Sequence, residues 1–287
     1  MIKATIIQDS IYDGRRILTF ELEYPRFIHS EFMTHRVFSR NAASSRAIPI
    51  ATMHKQILDS PAMPFAWGKN QPGMQAKENL PPEHTEIAKQ YWKLACKDAI
   101  HWSKALADTG AHKQIANRIT EPFMTMKTIV TTTELSNWFD LRNHEDADPT
   151  IHELARVMLE ALDASVPMKL ALGEWHLPYI HRDVTAGIMV YSTNGNVLSL
   201  EDAIKVSASC CAQVSYRKND DSLDKALMIF DKLINSTPRH ASPVEHQATP
   251  IDDEDDEVWL PGVTHIDKYG NQWSGNFRGW VQYRQLI

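Results

Sequence analysis

The chain has 287 residues, 43% hydrophobic and 23% charged, a balance that excludes a disordered or collagen-like protein and suits one large domain or two small ones. A formal net charge of −6 argues against wrapping a nucleic-acid polymer, which needs many phosphate-neutralising cations, yet leaves room for a local basic pocket. Three cysteines, two of them adjacent (Cys210, Cys211), build no disulfide framework and suggest a reducing compartment. There is no apolar run of the roughly 18 residues a membrane helix needs. The amino-terminal segment also lacks a signal-peptide core, so a cytoplasmic protein with no membrane partner is expected.

In chain order, alternation predicts strands around Lys3–Ile7 and Ile17–Glu23, joined by a turn at Asp13-Gly14 and ended by Pro25. Residues 27–43 read as a helix or helix–loop through Ile28, Phe32 and Phe38. Residues 59–82, rich in Pro and Gly, read as a long irregular loop, a form common in functional lids. Glu83–Ala107 is the clearest helix, with Ile87, Tyr91 and Leu94 at helical spacing and Gly110 as its stop. Helices are also predicted over 135–142, 151–162, 201–212 and 222–233. The polar stretch 181–200, with the turn signal Asn194-Gly195, is taken as a linker between residues 1–180 and 201–287, the whole forming one structural domain. Residues 252–257 are an acidic run that suits a solvated loop.

The densest polar cluster spans 34–46, with three Arg, three Ser, His35 and Asn41. Guanidinium forks and hydroxyls are the groups that cradle a phosphate, although a salt-bridged surface would use the same residues. His240-Ala-Ser-Pro-Val-Glu-His246 matches no zinc spacing. His144, Glu145, Asp146, Asp148 and His152 could ligate a cation for nucleotide hydrolysis but suit a solvated loop better, so no metal is expected. The cysteines read as small buried apolar residues. Hydrolase-elbow, P-loop and dinucleotide-fold fingerprints are all missing.

The stretch Thr34-His-Arg-Val-Phe-Ser-Arg-Asn-Ala-Ala-Ser-Ser-Arg46 resembles the flavin-dependent thymidylate synthase (ThyX) signature R-H-R-x-x-S-x-N-E-x-S-x-R-Y. His35, Arg36, Ser39, Asn41, Ser44 and Arg46 match; Thr34, Ala42 and Ala47 depart from it. Arg118-Ile-Thr-Glu-Pro122 resembles the family's R-x-x-L-P, and Leu135–Arg142 its L-x-x-F-L-x-L-R helix. Cys211-Ala-Gln-Val-Ser-Tyr216 resembles A-A-R-x-S-[FY], and His240–His246 resembles H-x-[ST]-P-F-E-H. These last two blocks ordinarily precede the signature. Here they follow it, which reads as a circular permutation, a rearrangement tolerated when termini lie close together at the surface.

The resemblance implies an α/β (α+β) fold, a mixed sheet flanked by a helical layer, in a homotetramer with flavin held between subunits. It implies reductive methylation of dUMP to dTMP with FAD, methylenetetrahydrofolate and NADPH. By matched position, His35, Arg36, Asn41, Asn137, His240, Ser242 and Glu245 would hold the flavin. Ser44, Ser45, Arg46, Arg118 and Arg142 would hold the nucleotide. Arg142, Ser44 and His35 would stand at the reacting groups, with Arg142 stabilising negative charge on the uracil and Ser44 given no covalent role. Glu31, where the family has Gln, would bring negative charge near the phosphate. Gln282 and Arg284 are expected to supply the ligand contacts that Thr34 and Ala42, in place of Arg and Glu, do not make. The departures also admit another C5 modification, such as hydroxymethylation, another pyrimidine nucleotide, or a non-catalytic flavin- or nucleotide-binding homologue.

Overall fold

The computed structural model describes residues 2–215, 220–252 and 260–287. In chain order the elements are β1 (Lys3–Tyr12), β2 (Arg15–Pro25), α1 (His29–Phe32), β3 (Ser39–Ala42), α2 (Ile50–Asp59), α3 (Pro82–Asp108), α4 (Lys113–Ala116), β4 (Thr125–Thr132), α5 (Ser136–Arg142) and α6 (Pro149–Asp163). There follow β5 (Met168–Lys169), β6 (His181–Thr185), β7 (Ile188–Thr193), β8 (Asn196–Leu198), α7 (Leu200–Ala212), α8 (Leu223–Ile234), β9 (Ala248–Pro250), β10 (His265–Ile266), β11 (Gln272–Ser274), β12 (Phe277–Arg278) and β13 (Trp280–Gln282).

The central sheet has the order β3-β4-β2-β1-β5. It is mixed: β5 runs parallel to β1, and the other pairs are antiparallel. Hairpin β1–β2 closes through Asp13 and Gly14, both at positive φ. Gly tolerates that region, and the two-residue turn matches the strands' twist. Alternation on β2 sends Leu18, Phe20, Leu22 and Tyr24 to one face, where they meet Met126 and Val130 of β4, Trp138 of α5 and the Ile151, Leu154, Ala155 and Met158 stripe of α6. Asp148 caps α6, its Oδ1 accepting from Thr150 N at 2.8 Å and Ile151 N at 3.2 Å. On the opposite face, Ile129 packs with Cys211 and Val214, and Ile17 with Phe277 and Trp280. The mixed α/β class expected from the sequence is the class observed.

Several expectations are corrected. Residues 181–200 are not a linker. They hold the antiparallel sheet β6-β7-β8, in which Thr193 pairs with Asn196 around the Asn194-Gly195 turn. Tyr191 of that sheet lies in one apolar cluster with Trp175 and with Ala203 and Val206 of α7, so the segment is bound into the fold on both sides. Residues 39–42 are strand where a helix–loop was predicted, because pairing to β4 overrides the weak local stripe. The apolar stripe of α3 faces outward: Ile87, Tyr91, Leu94 and Trp102 are 44–67% exposed, and the helix buries its small-residue side, Cys96, Ala99 and Ser103. The irregular segment is fastened down by Ala62 N to Phe123 O (2.9 Å) and by Trp92 Nε1 to Ala62 O (2.8 Å). Of the acidic run 252–257, all but Asp252 lies outside the described residues, as does Tyr216.

Candidate functional site

Two groups of polar side chains emerge from the signature, and they face different surroundings. The first begins where β3 ends. Ser44, Ser45, Arg46 and Arg118 line one cavity of about 260 Å³ with Arg26, Ala42, Ala43 and Met126. Asn117 Nδ2 fixes the cavity rim, donating to Ser45 O at 2.8 Å and Ile48 O at 3.0 Å. Three guanidinium groups and two hydroxyls around one small space make an anion cradle. Arg46 and Arg118 are exposed. Glu121 supplies the counter-charge: it stands 3.1 Å from Arg26 Nε and 3.4 Å from Arg118, and accepts from Ser45 Oγ at 3.1 Å. Arg26 and Glu121 do not stand out in the sequence. The available signals are the position of Arg26 directly after the strand that leads into the signature, and that of Glu121 inside the Arg118–Pro122 block.

The second group gathers on Arg142, at the carboxyl end of α5. Its Nε donates to His35 Nε2 at 3.0 Å, one terminal nitrogen donates to Glu31 at 3.2 Å and the other to Thr34 Oγ1 at 3.3 Å. His35 is buried, edge-on to Trp138 at 4.7 Å and stacked on Phe38 at 5.8 Å. Burial, with the charges of Arg142 and Arg40, lowers its pKa to about 4. The ring is therefore neutral near pH 7, accepts at Nε2 and carries its proton on Nδ1. Arg142 does not line the Arg46–Arg118 cavity, so the residues expected at one nucleotide site fall into two groups. Glu31 is committed to Arg142 rather than to the Arg46–Arg118 cavity.

The late blocks dock onto the early signature. Ser44 N donates to Ser215 Oγ at 2.9 Å, and Asn41 Nδ2 to Cys211 O at 3.1 Å. The 3-10 turn Ser242–Glu245 lies against β3. Gln282 is buried, and its amide nitrogen, with two protons to donate, lies 3.0–3.1 Å from Ser39 Oγ, Glu245 O and Asn276 Oδ1. It braces the turn and is not a free ligand contact. Arg284 pairs with Glu245. Arg36, Asn137, His240 and Ser242 are exposed.

The remaining sequence candidates disperse. Among the described residues no three His, Cys, Asp or Glu side chains gather as a metal site. Asp148 is spent as a helix cap, His144 accepts from Asp146 N at 3.2 Å, and His246 is buried while His240 is exposed. All three cysteines are buried thiols. Burial pushes Cys210 up to about 12 and Cys211 well above its usual value, which removes the thiolate that reactivity requires. No helix among the described residues is long and apolar enough to cross a membrane.

Residues 16–168 match the family model described as "Thymidylate synthase complementing protein". The chain belongs to that family. The match takes in both groups of polar residues, together with β3, β4, nearly all of β2 and the helices α5 and α6. Among solved structures the chain is similar to a UMP/dUMP methylase PolB from Streptomyces cacaoi bound with 5-Br dUMP, at 19% identity and a TM-score of 0.44, over 51% of this chain and 66% of that one. It is also similar to the same methylase bound with 5-Br UMP, at 17% identity and a TM-score of 0.48, over 57% and 88%. No curated protein matches.

Proposed function

We propose that this chain is a flavin-dependent enzyme that modifies C5 of a pyrimidine nucleoside monophosphate, its reaction the reductive methylation of dUMP to dTMP. Family membership supports the reaction class. The observation that carries the nucleotide reading is the cavity in which Arg26, Arg46 and Arg118 converge with Ser44 and Ser45. A phosphate entering it would take the guanidinium groups that Glu121 now neutralises.

Arg142 is the second element. A guanidinium has five N–H donors, and three are directed at His35, Glu31 and Thr34. The two others are left for an oxygen that gains charge as C5 becomes nucleophilic, a stabilisation that needs donors already in place. Neutral His35 cannot compete for that charge, and it aligns the guanidinium plane. Both act through orientation and electrostatics, as expected where a cofactor carries the difficult chemistry. Ser44 serves the cradle and makes no covalent bond.

The donor set fits FAD. Arg36 is exposed, with no ion pair among the described residues, and suits a diphosphate. Asn137, His240 and Ser242 present exposed amide, imidazole and hydroxyl groups. Asn41 and Glu245 shape the backbone nearby. Bound FAD supplies hydride transfer, methylenetetrahydrofolate the carbon and NADPH the electrons. We also propose that the two polar groups become one site across subunits of a homotetramer, whose assembly covers the exposed stripe of α3. The docking of 211–215 and 242–245 onto β3 supports a circular permutation.

The test is the visible spectrum of the purified protein, followed by anaerobic turnover of dUMP with methylenetetrahydrofolate, NADPH and FAD, with products read by mass. A flavin spectrum with dTMP is the expected result. A hydroxymethyl product or turnover of UMP alone would transfer the reading to another C5 modification. Bound flavin without turnover would indicate a binding homologue, and neither flavin nor product would overturn the proposal.

A further inference from the structure

Six buried polar side chains form one chain of hydrogen bonds through the centre of the fold, away from the two groups described above. Arg182 of β6 donates to Ser10 Oγ at 2.7 Å and to Asp9 O at 2.9 Å. Ser10 Oγ lies 2.7 Å from His176 Nδ1, and His176 Nε2 lies 2.8 Å from Thr19 Oγ1. Thr19 Oγ1 meets Thr131 Oγ1 at 2.6 Å, directly across β2–β4, and Thr131 Oγ1 meets His246 Nδ1 at 2.9 Å. Ser10, Thr19, Thr131, His176 and His246 are fully buried, and Arg182 is 8% exposed. His246 Nε2 has no partner among the described residues.

Donor chemistry orients this chain. Arg182 can only donate. Ser10 Oγ accepts from it, and because no other acceptor for the hydroxyl's own proton lies within reach among the described residues, that proton goes to His176 Nδ1. Neutral His176 then carries its proton on Nε2 and donates to Thr19. Thr19 donates to Thr131, and Thr131 to His246 Nδ1. His246 in turn carries its proton on Nε2. Burial lowers both imidazole pKa values, His246 to about 3, in keeping with two neutral rings.

We infer that Arg182 is a long-range positioning residue. By orienting every bond of the chain it sets the tautomers of His176 and His246 and pins the Ser242–Glu245 turn to β4. That turn carries Ser242 and Glu245 of the candidate site, so its relevance to catalysis rests on the functional reading above. The tautomers and the pinning do not.

The experiment is nitrogen NMR of histidine-labelled full-length protein, with hydrogen exchange of peptides covering 242–247. In the wild type both rings should be single Nε2–H tautomers. Thr19→Val keeps the shape of the strand but cuts the chain at its middle. His176 should keep its tautomer, fixed by Ser10, whereas His246 should lose its single tautomer and residues 242–247 should exchange faster. Arg182→Leu should release both rings, and Arg182→Lys, still a donor, should restore them. Where dUMP is turned over, Thr19→Val should lower kcat/KM about fivefold, the equivalent of one missing hydrogen bond. A wild-type His246 protonated on Nδ1, or a Thr19→Val protein with His246 and 242–247 unchanged, would overturn the inference. A wild type that turns over no nucleotide would instead count against the functional reading alone.

Discussion

Arg142 donates through Nε to Nε2 of His35 at 3.0 Å, across 107 positions of sequence. The bond joins the signature to the end of α5 and leaves His35 turned inward against Trp138. His35 thus acts on Arg142, and its replacement should be graded by whether an acceptor remains. His35→Gln keeps one and should lower kcat modestly. His35→Leu leaves a half-buried guanidinium N–H without its protein partner, a cost of about 1 kcal/mol or more, and should lower kcat several-fold to tenfold with KM for dUMP little changed. Equal kcat for the two variants would show that the Arg142 contact is not what His35 contributes.

The same ring sets a pH dependence. Burial lowers His29 and His35 to about 4, in both cases reinforced by neighbouring Arg side chains, and lowers His246 to about 3. An unfolded imidazole titrates near 6.5. Between those values the unfolded chain binds more protons than the folded one, so stability rises with pH through the window. These groups cost nothing above about 6.5, and their contribution is lost progressively as the pH falls toward 4. Urea midpoints should decline from pH 7 to pH 4.5, and His35→Gln should decline less steeply. A wild-type midpoint flat over that range would contradict the assignment.

In the anion cradle, Arg118→Ala should raise KM for dUMP by tenfold or more, since bonds to charged groups are worth about 1.5–3 kcal/mol. Deoxyuridine, lacking the phosphate, should be indifferent to the change. Glu121→Gln is the sharper probe. Glu121 holds Arg26 and Arg118, and removing its charge frees both for phosphate. Inorganic phosphate should then bind more tightly, measurable by calorimetry. Weaker binding would place the phosphate elsewhere.

Much of this is legible in the sequence because it is local. The Asp13-Gly14 turn, the end of β2 at Pro25 and the buried face of α6 follow from backbone preference and periodicity. The cradle is half legible: Ser44, Ser45, Arg46 and Arg118 stand in recognisable motifs, but Arg26 and Glu121 become partners only through the β2–β4 pairing. The chain from Arg182 to His246 is not legible, because single Ser, Thr and His residues at distant positions carry no spacing signal until the sheet sets their register. The α3 stripe misleads for a related reason. Helical periodicity identifies an apolar face without specifying whether the rest of the chain covers it.

Arg284 and Glu245 allow the last separation. The sequence places Gln282 and Arg284 at the nucleotide, supplying contacts that Thr34 and Ala42 do not make, yet Gln282 braces the Ser242–Glu245 turn and Arg284 pairs with Glu245. If Arg284 works by holding Glu245, then Arg284→Ala, Glu245→Gln and the double variant should all weaken nucleotide or flavin binding by nearly the same factor. The coupling should be about as large as either single effect. With side chains 47% and 18% exposed, the pair should contribute no more than about 1 kcal/mol to stability, so thermal midpoints should barely move. Additive effects in a double-mutant cycle, with Arg284→Ala acting on dUMP and Glu245→Gln on flavin, would assign Arg284 a direct contact instead.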